Sequence, residues 1–491
     1  MASDSKNLLK TMSINIVTES KENTSKIFIV SGEDALKNLK LSDTELWYIK
    51  KKLSDDPKNK LICINRLETL LFVLMPEDVS DKNISLERIR KSGHSVFKQL
   101  KSEKHNTIVV SDHCGDSEAL LAFVEGFVLS SYSFDKYKSS ENGKEEYCIQ
   151  IESKNITTGQ IHNLTNICES VFLARDLVNE PAGSLNAVQL SEAAINLGAS
   201  LGIKTEVFNK TKIESLKMEG LLAVNRGSVI PPTFTIMEWN PGNALNEKPY
   251  ILVGKGVVFD TGGINLKPTS GLDTMKCDMA GAASVIGAIS AIAANKLPVR
   301  VIGLIPATDN RPGKNAVVPG DVLKMQNGKT VEILNTDAEG RLILADALCF
   351  SSNYNPGLVI DIATLTGNAA VAIGEHGIVG MGNAGNETMQ KLAEAGNDVC
   401  ERIVWFPFWE EYDKAIKSDI ADIKNIGGRE GGAITAGKFL SHFVDTPWIH
   451  LDIAGAAFIS SESNYRGMGG TGVGVRILYR YFEKIVSLQN K

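Results

Sequence analysis

The sequence has 491 residues, of which 43% are hydrophobic, 22% charged and 7% aromatic. These proportions are ordinary for a globular protein, and they exclude a coiled coil, a collagen-like chain or a mostly disordered one. Since domains usually contain about 100 to 200 residues, this length predicts two or three domains. The 52 basic and 58 acidic side chains give a net charge of -6, so nucleic acid and anionic membranes are not expected partners.

The compartment is indicated by three features. The apolar stretch at 279–295 is shorter than the roughly 20 residues that a membrane-spanning helix needs, so a buried core helix is expected there. The first residues do not show a basic segment followed by an apolar one, and no secretion signal is expected. Seven scattered cysteines without a CxxC pair indicate reduced thiols. We therefore expect a cytoplasmic protein.

Glycine content divides the chain into two parts. Only six of the 43 glycines precede residue 166, and glycine-rich segments are typical of functional loops. The first part, 1–165, is predicted to be a small α/β domain, because apolar runs alternate with helical periodicity. The expected strands are 26–30, 69–75, 106–112 and 145–152, and the expected helices are 84–100 and 116–131.

The second part, 166–491, alternates in the same way over a greater length. The expected strands are 250–260, 299–305, 329–335, 358–363 and 448–453, and the expected helices are 275–294, 341–352, 387–395, 433–443 and 472–484. Strands this apolar indicate a mostly parallel or mixed sheet covered by helices on both faces, a three-layer α/β/α domain. In such sheets functional groups collect beyond the carboxyl ends of the strands.

Several catalytic signatures are missing from the sequence. It contains no HExxH or GxxxxGK[ST] motif. Two segments, 380–385 (GMGNAG) and 467–472 (GMGGTG), match GxGxxG, which is a weak signal in a glycine-rich chain. A dinucleotide site at 380–385 is one alternative, and a tight surface loop is the other.

The informative feature is a set of carboxylates near predicted strand ends. Asp260 ends the apolar run VGKGVVFD, and Asp278 begins a buried helical run. Asp337 and Glu339 lie two residues apart, and on an extended segment they would point to the same side. Burying four acids together without a cation would be costly.

A pair of divalent metal ions would resolve this repulsion. Lys255 and Lys267 lie beside the acids and offer the alternative of simple ion pairs. Either alternative fits a single acid, whereas the four acids together favour metal.

These segments resemble the leucine aminopeptidase (cytosol aminopeptidase) family of two-metal exopeptidases. NTDAEGRL at 335–342 is that family's signature, and VGKGVVFDTGGINLKP at 253–268 and KCDMAGAA at 276–283 are similar to its metal segments. Further similarity lies at 174–181, 418–440 and 447–457, so the resemblance covers about residues 170–491. It implies that 166–491 is a catalytic metallopeptidase domain.

The resemblance implies a role for each matching residue. Two divalent ions, zinc or manganese, would be bound by Lys255, Asp260, Asp278, Asp337 and Glu339. Lys267 would polarise the scissile carbonyl, and Arg341 would hold a bicarbonate as general base. The first specificity pocket would be lined by Met275, Thr364, Gly367, Ala454 and Ala457, with Leu365 near the bicarbonate; ordinary core packing is the alternative for these residues.

The resemblance further implies a homohexamer that removes single amino acids, preferably leucine and other apolar ones, from peptides with a free N-terminus. A dinucleotide-dependent oxidoreductase and a nucleic-acid-binding protein acting through the first domain remain alternative functions.

Overall fold

The computed structural model describes residues 12–18, 23–77, 79–139, 146–462 and 464–489. They divide into two compact units, Met1–Glu169 with Glu462–Gly467, and Ser170–Ser461 with Met468–Lys491. The division at Glu169 lies inside a helix, Thr158–Asn179. The domain boundary between residues 165 and 166 stays a prediction.

The first unit is built on a six-stranded sheet. Its strands are β1 (Met12–Ile16), β2 (Ser25–Val30), β3 (Leu61–Asn65), β4 (Leu70–Leu74), β5 (Thr107–His113) and β6 (Tyr147–Glu152). Its helices are α1 (Asp43–Asp55), α2 (Lys82–Ser102) and α3 (Ser117–Ser130), with a 3-10 helix at Glu33–Asn38. The strand order is β1-β6-β5-β2-β4-β3, and β3 alone is antiparallel to its neighbour.

The elements predicted for this unit are present within a few residues of their expected bounds. Residue 145 of the predicted strand 145–152 lies outside the described residues. The edge strands β1 and β3 had no counterpart in the prediction, because half-exposed edge strands lack a continuous apolar run.

The helices of the second unit surround its main sheet. They are α4 (Thr158–Asn179), which starts in the first unit, α5 (Ala187–Leu201), α6 (Lys210–Ser215), α7 (Glu219–Asn225), α8 (Ala280–Ala294), α9 (Glu339–Ser351), α10 (Gly367–Ile373), α11 (Asn386–Asp398), α12 (Gly432–Ser441) and α13 (Val475–Gln489). 3-10 helices lie at Leu272–Met279, Ser352–Tyr354, Gly374–His376 and Glu410–Ile416.

The strands of the second unit form a nine-stranded sheet and two small ones. They are β7 (Lys204–Phe208), β8 (Thr233–Trp239), β9 (Tyr250–Gly254), β10 (Gly256–Asp260), β11 (Val301–Asn310), β12 (Val322–Lys324), β13 (Thr330–Glu332), β14 (Leu358–Ala363), β15 (Ile378–Gly382), β16 (Ile403–Trp405), β17 (Ile423–Lys424), β18 (Trp448–Asp452), β19 (Phe458–Ile459) and β20 (Gly469–Gly470).

The order in the large sheet is β16-β15-β18-β14-β9-β11-β8-β7, and β10 pairs with β11. Strands β18, β14, β9 and β11 are mutually parallel, as is β10 with β11, whereas β15 and β8 run antiparallel to their inner neighbours. The carboxyl ends of five strands therefore meet at one edge. The predicted fold class, a small α/β domain with a larger domain around a mixed sheet, is confirmed.

Helices cover both faces of this sheet. Ile251 and Val253 of β9 join the core that contains Leu342 and Ile343 of α9. On the opposite face α8 packs so closely that Gly281 lies against the carbonyl of Ile362. Among the described residues, the stretch Leu272–Ala294 is long and apolar enough to span a membrane, but 94% of its apolar window is buried inside the protein. It is the expected core helix.

Two predicted strands differ from the structure. The stretch 250–260 is broken at Lys255, whose amide nitrogen bonds to Ile362 O at 3.2 Å while the following strand pairs with β11 further along its length. The predicted strand 329–335 is reduced to β13, because residues 333–338 form turns that carry part of the site described below.

The close approach of α8 to the sheet predicts a strong effect of Gly281→Ala. The added methyl carbon would lie 2.1 Å from Ile362 O, so the helix must shift, and we expect the free energy of unfolding to fall by about 3 kcal/mol. Denaturant unfolding at fixed protein concentration measures it. Gly242→Ala, where no atom lies within 4 Å, is the control and should change stability by less than about 0.5 kcal/mol. Equal stability of both variants would contradict the packing.

Candidate active site

Polar side chains gather where the parallel strands end. Lys255 directly follows β9, Asp260 is the last residue of β10, Asn310 ends β11 and Thr364 follows β14. The strands that precede them consist largely of buried apolar residues, so these polar groups lie at the edge of the core. The edge thus collects charged and polar groups from four strands.

Lys255 lies at the centre of one half of this cluster. Its Nζ is 2.7 Å from Asp278 Oδ1 and 2.9 Å from Glu339 Oε1, and it donates to Thr364 O at 2.9 Å. The side chain is only 3% exposed. A methyl carbon at Gly340 would lie 2.4 Å from Lys255 Cε, so the first turn of α9 leaves room for this lysine only because residue 340 is glycine.

Lys267 lies at the centre of the other half of the cluster. Its Nζ is 2.8 Å from Asp260 Oδ2 and 2.5 Å from Asp337 Oδ1. The second oxygen of Asp260 accepts hydrogen bonds from Gly262 N and Asn310 Nδ2, both at 2.8 Å. Asp260 is therefore fixed from both sides, one oxygen by the protein scaffold and one by a lysine that is 22% exposed.

Asp337 and Glu339 come together by a different route from the one predicted. The extended segment expected from their spacing is absent: Asp337 lies in a turn and Glu339 begins α9. The turn is held by Asp337 N, which donates to Asn335 Oδ1 at 2.8 Å. Ligand atoms of Asp260, Asp337 and Glu339 all lie within 4.8 Å of one another.

The electrostatics of the cluster follow from burial and like charge. Burial raises the pKa of Asp278 well above its usual value. The positive charge of Lys255 opposes this increase, and the negative charge of Glu339 adds to it. Burial lowers the pKa of Lys255, but the carboxylates of Asp278 and Glu339 outweigh it and raise that pKa overall. The two lysine ammoniums balance part of the carboxylate charge, which is what the ion-pair alternative predicts. Asp260 forms its ion pair with Lys267 and not with Lys255.

The donor set also fits divalent metal. Asp278 Oδ2 and Glu339 Oε2 are buried without a hydrogen-bond partner among the described residues. A buried carboxylate oxygen without a donor is costly, and a cation would satisfy both oxygens. Carboxylate oxygens with an amine nitrogen suit zinc or manganese better than calcium, which prefers oxygen ligands alone.

Arg341, the third residue of α9, is buried beside this cluster. Its Nη1 donates to Asn425 O at 2.6 Å, whereas its Nε has no partner among the described residues. Burial lowers its pKa to about 10 against the opposing charges of Glu339 and Asp452. A buried guanidinium whose N–H has no protein partner can donate a hydrogen bond to a small anion.

Asn425 was not singled out from the sequence. Its side-chain oxygen accepts Leu334 N at 2.9 Å and Asn335 N at 3.3 Å, and its amide nitrogen donates to Asn335 O at 2.6 Å. One fully buried side chain thus holds the loop before Asp337, while its carbonyl holds Arg341. Its partners lie some 90 residues away in sequence, and no local pattern marks it.

The predicted pocket residues fall on three segments. Thr364, Leu365 and Gly367 follow β14, Ala454 and Ala457 follow the neighbouring strand β18, and Met275 lies in the 3-10 helix Leu272–Met279. Thr364 Oγ1 donates to Asp278 Oδ1 at 2.7 Å, which connects the first segment to the carboxylate cluster.

The two GxGxxG segments have different surroundings. The first spans the end of β15 and the turn before α11, and Gly382 there packs so closely on β18 that a methyl carbon would lie 2.2 Å from Trp448 O. The second contains β20, and a methyl carbon at Gly469 would lie 2.3 Å from Asn179 Oδ1. Close packing against the Trp448 backbone and the Asn179 side chain accounts for glycine at these positions, and neither segment favours the dinucleotide alternative.

Comparison with known families gives two matches. Residues 172–479 match the cytosol aminopeptidase family, catalytic domain, and residues 80–141 match the cytosol aminopeptidase family, N-terminal domain. The chain is 46% identical over 429 residues to a probable cytosol aminopeptidase of Chloroherpeton thalassium, covering 80% of this chain and 82% of the relative. It is 42% identical over 413 residues to that of Geobacter sulfurreducens, covering 82% and 83%.

Solved structures show the same similarity. A mutant of tomato leucine aminopeptidase superposes with a TM-score of 0.84 at 26% identity, covering 96% of each chain. A bottromycin maturation enzyme in complex with Mn superposes with a TM-score of 0.83 at 27% identity, covering 94% of this chain and 99% of that one.

Removing the Asn425 side chain should loosen the loop that carries Asp337. In Asn425→Ala the carbonyl that holds Arg341 remains, but three hydrogen bonds to residues 334 and 335 are lost, so unfolding free energy should fall by about 2–4 kcal/mol. Hydrogen exchange of the Leu334 and Asn335 amides should accelerate. The control is Asn327→Ala, an exposed side chain that bonds to His442 O and Lys329 N and not to residues 334 or 335. Unchanged protection in Asn425→Ala would contradict the assignment.

Proposed function

The chain belongs to the cytosol aminopeptidase family and is an aminopeptidase, and we propose that it releases single N-terminal residues from peptides, preferring leucine and other apolar residues. The observation that carries the proposal is the cluster of the buried Asp260 and Glu339 with the half-buried Asp337 at the sheet edge, whose ligand atoms lie within 4.8 Å of one another. Family members act on peptides by metal-dependent hydrolysis, and this cluster supplies the donors such chemistry needs.

Two divalent ions, zinc or manganese, would be held by five residues. One site would use Lys255, Asp260, Asp278 and Glu339, and the other Asp260, Asp337 and Glu339. When bound, such ions acidify a water molecule and bind a free amino group, and a bicarbonate would serve as the general base. The buried, unpartnered oxygens of Asp278 and Glu339 support this ligand set. As a ligand, Lys255 has to be the neutral amine.

Burial separates the roles of the two lysines. Lys255 is 3% exposed and enclosed by α9, so it cannot reach a substrate. Lys267 is 22% exposed and sits on the open side of Asp260 and Asp337. We assign Lys267 to polarising the scissile carbonyl, because an ammonium at this position can donate to the oxyanion that develops in the transition state.

Arg341 is assigned to holding the bicarbonate. Its Nη1 is fixed by the carbonyl of Asn425, which leaves the buried Nε–H to face an anion. The backbone of Leu365, beside Thr364, is anchored nearby by Asp452, the residue whose charge also acts on Arg341. The hydrogen bond from Nη1 to Asn425 O orients the guanidinium.

The apolar preference is assigned to a pocket of Met275, Thr364, Gly367, Ala454 and Ala457, with Leu365 at its side. None of these side chains carries a charge, and two of them are alanines that leave space for a branched side chain. We further propose a cytoplasmic homohexamer that acts on peptides.

Chelation tests the proposed function. Metal-stripped protein should lose hydrolysis of leucine amide by at least about 100-fold, since metal ions supply several kcal/mol of transition-state stabilisation. Zinc, manganese or cobalt should restore it. Steady-state rates on amides with apolar, acidic and basic first residues give the measurement. Full activity without metal, or a preference for acidic residues, would refute the proposal.

Replacing Lys255 by arginine separates the ligand from an ion pair. A guanidinium keeps its proton and cannot donate a lone pair, so Lys255→Arg should bind about one metal ion fewer per subunit. Elemental analysis of folded protein gives the ratio. The control is Lys267→Arg, which should keep both ions, and two tightly bound ions in Lys255→Arg would show that this lysine is not a ligand.

A further inference from the structure

Two neighbouring strands of the large sheet separate beside the candidate site. Strands β14 and β18 are paired in parallel up to Ala363 and Asp452, and Ile453 N then donates to Ala363 O at 2.8 Å. Beyond this bond the two chains diverge into the segments that carry Leu365 and Ala454. The strand pairing therefore ends at Ala363 and Asp452.

The carboxylate of Asp452 joins these two segments. It is 1% exposed, and its Oδ1 accepts Leu365 N and Ala454 N, both at 3.1 Å. Its Oδ2 accepts the hydroxyl of Thr366 at 2.7 Å. Three donors from the two segments therefore converge on one buried side chain, which joins the segments beyond the last paired residues of the strands.

The same connection fixes α10. The hydroxyl of Thr366, which donates to Asp452, accepts Ala369 N at 3.1 Å and so caps the first turn of this helix. At the other end of α10, a methyl carbon at Gly455 would lie 2.2 Å from Gly374 O. The segment after β18 thus contacts α10 at its end, and Asp452 fixes its start.

We infer that Asp452 is a positioning residue for substrate specificity, because it sets the distance between the two walls of the pocket for the first residue of the peptide. This inference rests on the proposed function, in which Thr364, Leu365 and Gly367 form one wall and Ala454 and Ala457 the other. All of them follow the strand ends that Asp452 ties together. Asp452 does not touch the substrate; it acts through Leu365, Thr366 and Ala454.

Asp346 offers a matched comparison within the same unit. It is equally buried, and it accepts the backbone amide of Leu221 at 2.8 Å. It ties α9 to α7, and its hydrogen-bond partners include none of the pocket residues. Loss of either carboxylate removes hydrogen bonds in the core, but only the loss of Asp452 is expected to alter selectivity.

The test compares selectivity in metal-loaded protein. Rates are measured on alanine, valine, leucine and phenylalanine amides for the wild type, Asp452→Ala, Asp452→Asn and Asp346→Ala. We expect Asp452→Ala to reduce the leucine-to-alanine ratio of kcat/KM by roughly tenfold, mainly through KM, with metal content unchanged. Asp452→Asn retains an acceptor oxygen for Leu365 and Ala454 and should keep most of the ratio. Asp346→Ala should keep the wild-type ratio even if its stability falls.

The outcomes separate the inference from the proposed function. A wild-type ratio in folded Asp452→Ala overturns the inference while leaving the aminopeptidase proposal intact. If that variant does not fold, Thr366→Val removes one of the three donors, and an unchanged ratio there also overturns it. A wild-type protein that hydrolyses none of the amides with metal added refutes the proposed function, and the pocket inference falls with it.

Discussion

The structure depends on the balance of buried charge at one edge of the large sheet. Ligand atoms of Asp260, Asp337 and Glu339 lie within 4.8 Å of one another, and Asp278 shares the ammonium of Lys255 with Glu339. Removing such groups from water costs several kcal/mol each unless cations compensate. Lys255 and Lys267 each contact two of them. The break between β9 and β10, the glycine at 340 and the short 3-10 helix before α8 all place these charges where the two lysines can reach them.

The central elements were predictable because they are buried on both faces. Strand β14 was predicted with its observed bounds, 358–363, since a fully buried parallel strand is a continuous apolar run. The elements around the site could not be predicted in the same way. Asp337 and Glu339 do lie close together, but one is in a turn and the other begins α9. The hydrogen bond from Asp337 N to Asn335 Oδ1 holds the turn, so this segment does not adopt the extended conformation that the spacing predicted. The spacing of Asp337 and Glu339 therefore predicted correctly that the two side chains lie together, but the extended conformation on which that prediction rested is absent.

The side chains that support the site were missed for two different reasons. Asp452 ends the apolar run WIHLD much as Asp260 ends its own run, so the signal that selected Asp260 could also have selected Asp452. Asn310 ends β11 in the same way and holds one oxygen of Asp260. Asn425 gave no such signal, because its partners lie about 90 residues away and only the packing of β17 against β13 brings them together.

Supporting residues of this kind orient the groups at the sheet edge through hydrogen bonds. Two charged side chains and one loop are each held by a neighbour on another segment: Asp260 by Asn310, Arg341 by Asn425, and the loop carrying Leu365 by Asp452. Such outer contacts restrict the orientation of the groups they hold. A cation bound to the cluster would meet carboxylates already oriented by the scaffold, so the entropy of ordering them is lost during folding and not again at binding. The long-range contacts that sequence reasoning finds hardest to detect are therefore the ones that prepare the site.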